Sequence, residues 1–134
     1  MRRITPQMVV DAFVRTGLAP TRGHYFSLGF GVYPCACALG AVALSRREDL
    51  LGALIGADER PSRSELGAVL DNEVDQAAPG RYYRDGFTSG FDGGKVDEEA
   101  ARLPSPSDER RAYFTGRRDG RAAARAVLPP EEIK

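Results

Sequence analysis

The sequence predicts a mainly α fold: a compact helical domain of about five to six helices, with a small β-hairpin or an ordered loop near residues 23–33. Three observations predict it. Apolar residues recur at helical spacing in several segments, and proline and glycine punctuate those segments where helices start and stop. One motif, Tyr-x-x-Gly-x-x-x-Gly, occurs twice and aligns its residues along one face of a helix. With 134 residues, 42% hydrophobic and 28% charged, the chain suits one domain over 1–134 with a continuous core.

The first helix is signalled by Thr5 as N-cap, Pro6 at the first helical position and Gly17 past the last turn. Val9, Phe13 and Thr16, with Val10 and Val14 beside them, make its apolar face. Residues 18–33 are rich in glycine and aromatics, which is where the hairpin or loop belongs. Pro34 then opens an apolar helix through Leu44, apolar on all sides as a central buried helix is. Shorter helices follow over 48–55 and over 64–74, the latter with Leu66, Val69 and Leu70 inward. A helix over 81–92 stops at Gly93-Gly94, and residues 95–107, broken by Pro104 and Pro106, read as an internal connecting loop. The longest helix, 108–128, is halted by Pro129-Pro130.

The repeated motif pairs Tyr83, Gly86 and Gly90 with Tyr113, Gly116 and Gly120. Glycine inside a helix costs about 0.8–1.0 kcal/mol relative to alanine, so four of them call for a compensating contact. Close backbone approach of the two helices supplies it, with the tyrosines sealing the flanks. The same faces in two copies of the chain would make a homodimer, so monomer and homodimer both remain open.

Arg110, Arg111, Arg117, Arg118, Arg121 and Arg125 fall within about a 120° sector of the last helix, with Phe114 among them. Such a stripe suits phosphates with a ring to stack on, or an acidic protein partner, or simply solvent. Nineteen acids balance nineteen bases, and a dedicated nucleic-acid domain is clearly basic, so a protein partner is preferred and nucleic acid is the alternative. The bases are seventeen arginines against Lys95 and Lys134, a bias that suits oxyanion contacts and that a GC-rich genome also produces.

Cys35 and Cys37 fall in the first turn of the apolar helix, where free N–H groups lower a thiol's pKa. With His24, the one histidine, either cysteine makes a candidate nucleophile–base pair; a small buried hydrophobe is the plainer reading. These three side chains fall short of the four ligands of a structural zinc site, and Cys-x-Cys is not its usual spacing, so neither metal nor cofactor is expected. Gly29-Phe-Gly31 reads as a turn rather than a phosphate loop, and the aromatic segment 25–33 offers a small-ligand site as a further alternative. No apolar stretch follows Arg2-Arg3, and the longest apolar run, 36–44, is too short for a bilayer. A reducing cytoplasm and no membrane are the expectation.

Cys-Ala-Leu-Gly-Ala at 37–41, Gly-Phe-x-x-Gly-Phe-Asp-Gly at 86–93 and Tyr-x-x-Gly-x-x-Asp-Gly-Arg-Ala-Ala at 113–123 form an ordered set of boxes. In that order the chain resembles small uncharacterised bacterial and bacteriophage proteins. The resemblance implies a helical fold in which the cysteine and glycine helices form one unit, and it implies no catalytic residue. The functional expectation is a non-enzymatic binding or interaction protein contacting its partner through Arg110, Phe114, Arg117, Arg118, Arg121 and Arg125. The alternatives are a cysteine-dependent enzyme using Cys35 or Cys37 with His24, and a nucleic-acid accessory protein.

Overall fold

The structure is a computed structural model describing residues 2–27, 34–56 and 60–129, with the backbone alone at 60–64. Helix α1 (Pro6–Thr16) starts where the Thr5 hydroxyl accepts the Met8 N–H at 3.2 Å and ends at Gly17, whose φ of 70° suits a residue without a side chain. Val9, Ala12 and Phe13 face inward. Val14, expected beside them, is 78% exposed, because at about 100° per residue it stands about 140° round the helix from Val9.

After α1 the chain forms β1 (Ala19–Pro20), which pairs in parallel with β2 (Cys35–Ala36) in the register Ala19–Cys35 and Pro20–Ala36. On the other side of β2, Ser27 and Cys35 exchange two backbone hydrogen bonds of 2.8 Å in antiparallel sense. The body of the expected 23–33 hairpin, the Gly29-Phe-Gly31 turn and most of the 25–33 aromatic segment lie outside the described residues.

Here the second helix departs from expectation. Strand pairing holds Cys35 and Ala36 extended, and the Cys37 N–H donates to the His24 carbonyl at 2.7 Å. Helix α2 (Ala38–Ser45) therefore starts after Cys37, which is its N-cap, and neither cysteine lies in a first helical turn. Every residue from Ala38 to Leu44 is buried, and α2 packs against α1, the two helices that follow it and the last helix of the chain. A Cβ on Gly40 would collide with the Tyr25 backbone, so the glycine is what lets the segment before Ser27 lie flat on the helix.

Helix α3 (Glu48–Gly56) buries Leu50 and Leu54. Helix α4 (Arg60–Ala77) runs beyond the expected 64–74 and buries Leu70, Val74 and Ala77, while Val69, at the edge of that arc, is 40% exposed. Helix α5 (Arg81–Asp92) ends at Gly93 with φ 74°. The segment read as a loop contains a one-turn helix, α6 (Glu98–Ala101), nucleated by the Asp97 carboxylate accepting the Glu99 N–H at 3.1 Å. Helix α7 (Asp108–Val127) is capped by the Ser107 hydroxyl, which accepts the Arg110 N–H at 3.2 Å. These seven helices and the two-stranded sheet are the regular elements among the described residues.

α5 and α7 make the most extensive helix pair of the fold. A Cβ on Gly86 would collide with the Tyr113 carbonyl and one on Gly90 with that of Arg117. Reciprocally, a Cβ on Gly116 would meet the Tyr83 carbonyl and one on Gly120 that of Phe87. The contacts advance in the same direction along both helices, so the two run parallel and are related by an internal two-fold. Tyr83, Phe87, Phe91 and Tyr113 are buried around the crossing. Each glycine face is filled by the other, and a homodimer through these faces would have to displace an intramolecular contact.

Candidate functional site

The hydrophobic and the charged sides of α7 serve different ends. Gly116, Gly120, Ala123 and Ala124 are buried, which turns most of the arginines outward. The structure then divides the expected stripe. Arg110 donates through Nη1 to the carbonyls of Ala101 (2.9 Å) and Leu103 (3.3 Å), capping the segment after α6, and lies 5.0 Å over the Phe114 ring. Its Nη1 is thereby engaged inside the chain. Arg111 is exposed and stands apart.

Arg117, Arg118, Arg121 and Arg125 come together with Phe114 and Val96 around a surface hollow of about 430 Å³. Arg118, Arg121 and Arg125 are exposed, and no ion pair to an acid forms for any of them among the described residues. Arg117 is different. It is only 9% exposed, because its backbone packs on Gly90 at the α5 crossing, and its Nη1 donates to Ser89 Oγ at 2.6 Å. Ser89 in turn donates to the Lys95 carbonyl at 3.1 Å, which ties Arg117 to the turn that carries Val96. Guanidiniums flanking a partly buried ring and a valine can bind an anionic group whose stem is apolar.

Sequence reasoning missed Val96 and Ser89. Neither lies on α7, and nothing in their local pattern marks them; only the α5–α7 crossing brings Val96 to the hollow and Ser89 to Arg117.

A second, smaller hollow of about 210 Å³ is lined by Gly23, His24, Tyr25, Cys37, Thr88 and Asp92. It forms where the segment before Ser27 is clamped between α2 and the end of α5: Arg22 Nε donates to the Phe91 carbonyl at 3.0 Å and the Gly23 N–H to Asp92 Oδ1 at 3.1 Å. The structure thus brings Cys37 and His24 to one hollow, with Asp92 as a third titratable group that the sequence reading did not connect to them. Burial raises the Asp92 carboxyl, partly offset by the Gly23 amide and the nearby Arg22 and His24. Burial also pushes the Cys37 thiol up to about 11, overriding the helix-start amides that favour the thiolate. A thiol held protonated at neutral pH is a weak nucleophile. Cys35 points elsewhere, its Sγ donating to the Ser27 carbonyl at 3.4 Å.

Among the described residues no group of three His, Cys, Asp or Glu side chains is placed to hold a metal ion. Nor, among them, is any helix long and apolar enough to cross a membrane. Compared with family models, with curated proteins and with solved structures, the chain matches none.

Proposed function

We propose that this chain is a non-enzymatic binding protein whose contact face is the arginine hollow of α7, and that the hollow receives an acidic surface of a protein partner. The observation that carries the reading is local charge without compensation: Arg118, Arg121 and Arg125 stand exposed beside Phe114 and Val96, with no ion pair among the described residues. By contrast, Arg47 pairs with Glu73 and Arg3 with Asp119, both at 2.6 Å. The net charge of zero provides no long-range attraction for a polyanion, so recognition relies on complementarity at this one face.

The test is a tagged capture from nuclease-treated and untreated lysate, comparing the parent with an Arg118/Arg121/Arg125→Ala variant. These side chains are exposed, so the variant keeps the fold. Proteins retained by the parent after nuclease treatment and lost by the variant support the reading. A variant that keeps every partner overturns it, and partners lost on nuclease treatment redirect it to nucleic acid.

A further inference from the structure

Three charged residues are buried among those described: Glu73, Asp119 and Arg117. Glu73 is paired with Arg47 and Asp119 with Arg3, each at 2.6 Å. Arg117 is the exception. Its side chain donates to the neutral Ser89 hydroxyl, and no carboxylate lies within ion-pair reach among the described residues. Burying a guanidinium without an opposite charge is unfavourable, and the other two buried charges among the described residues are each paired. The exception sits at the wall of the hollow that Arg118, Arg121 and Arg125 also line.

We infer that this hollow is a phosphomonoester site with Arg117 as its anchor, the phosphoryl group being carried on a side chain of the protein partner. The inference rests on the reading above and names the group that the acidic surface presents. A carboxylate brings one negative charge and two oxygens to four guanidiniums. A phosphomonoester brings about −1.5 to −2 and three acceptor oxygens, which the planar forks of several arginines can meet at once. Ser89 holds Arg117 in place before the ligand arrives, so little side-chain freedom is lost on binding. The hollow, at about 430 Å³, has room beyond one phosphoryl group, and Phe114 and Val96 provide an apolar wall for the stem that carries it. Exposure of Arg118, Arg121 and Arg125 leaves the hollow accessible to a side chain projecting from another protein.

Fluorescence anisotropy with the full chain tests this. The probes are a labelled peptide carrying one phosphotyrosine, the same peptide with glutamate at that position, phenyl phosphate as competitor, and a single-stranded oligonucleotide. The phosphopeptide is expected to bind at least about tenfold tighter than the glutamate peptide and to be displaced by phenyl phosphate. Arg117→Gln is expected to weaken it by about tenfold or more, and Arg121→Gln by several-fold with an unchanged melting temperature. Should Arg117→Gln fail to fold, Ser89→Ala and Arg121→Gln carry the test, since both leave the glycine crossing intact.

Equal affinity for the phosphopeptide and the glutamate peptide overturns the phosphomonoester while leaving the acidic-partner reading standing. Binding of phenyl phosphate without binding of the phosphopeptide keeps the ligand class and overturns its protein source. Preference for the oligonucleotide, collapsing as salt rises, overturns both this inference and the reading beneath it. Failure of every probe to bind overturns the phosphomonoester site.

Discussion

Across the α5–α7 crossing the Tyr83 hydroxyl donates to Asp119 Oδ2 at 2.6 Å. The same hydroxyl accepts the Ile4 N–H at 2.7 Å, and Arg3 grips the carboxylate through Nε at 3.0 Å and Nη2 at 2.6 Å. One carboxylate therefore fastens the segment before α1 to both glycine helices. Burial alone would raise the Asp119 carboxyl, but the hydrogen bonds from Arg3 and Tyr83 outweigh it and hold the group below its ordinary value. Tyr113 plays the two-fold counterpart of Tyr83, its hydroxyl accepting the Asp97 N–H at 2.9 Å.

Tyr83→Phe leaves the Ile4 N–H without its acceptor and removes one donor from Asp119. The expected loss is about 1–3 kcal/mol, read as a lower urea midpoint with an unchanged m-value. An unaltered midpoint would show that water satisfies both groups without the phenol.

The same carboxylate sets an acid limb. A group whose folded-state pKa is depressed contributes stability that is present above its unfolded value, near 4, and lost as pH falls through the folded value. Asp119→Asn is expected to lower stability at neutral pH and to flatten the fall of melting temperature below about pH 4. A variant whose acid limb parallels the parent's places the titration elsewhere.

The glycines separate into two kinds, and alanine substitution distinguishes them. Gly90 and Gly120 face backbone carbonyls of the opposite helix, which cannot move aside as a side-chain end can. Gly90→Ala gains about 1 kcal/mol of helix propensity but incurs overpacking of about 1–3 kcal/mol, and backbone contact puts it at the upper end, so the melting temperature falls. Gly52, exposed in α3, has nothing within 4 Å of its missing Cβ. Gly52→Ala is expected to stabilise by about 0.4–1 kcal/mol. If both substitutions shift stability in the same direction, close approach is not what the crossing glycines provide.

That distinction marks what a sequence can carry. Thr5, Pro6 and Gly17 bound a helix through backbone chemistry within a few residues, and that boundary is readable without a partner. The Tyr-x-x-Gly-x-x-x-Gly copies are readable because the same surface is written twice. Cys35 misleads for the opposite reason: its extended conformation is imposed by Ala19 and Ser27, which lie eight or more residues away. The hollow of α7 shows the same division. Its arginines follow helical periodicity, whereas the burial of Arg117, its bond to Ser89 and the approach of Val96 arise only once α5 lies across the helix. Arg3 and Asp119, 116 residues apart, left no local trace of their pairing.

Cys37 decides whether the smaller hollow supports thiol chemistry. The side chain is 6% exposed and its thiol is raised to about 11, with burial the largest cause. In a Cys35→Ser background, alkylation of the native chain is expected to be slow at neutral pH and to accelerate only as pH approaches that value. The linkage has a matching sign: a thiol whose folded pKa is raised stabilises fully below its unfolded value, near 8.5, and that stability is lost as pH rises through about 11. Alkaline melting curves of the parent and Cys37→Ala should therefore converge as the parent loses this contribution. A Cys37 that reacts rapidly with a midpoint below pH 8 is a thiolate in the native fold. That result would put Cys37, His24 and Asp92 together as a reactive site and displace the binding reading from first place.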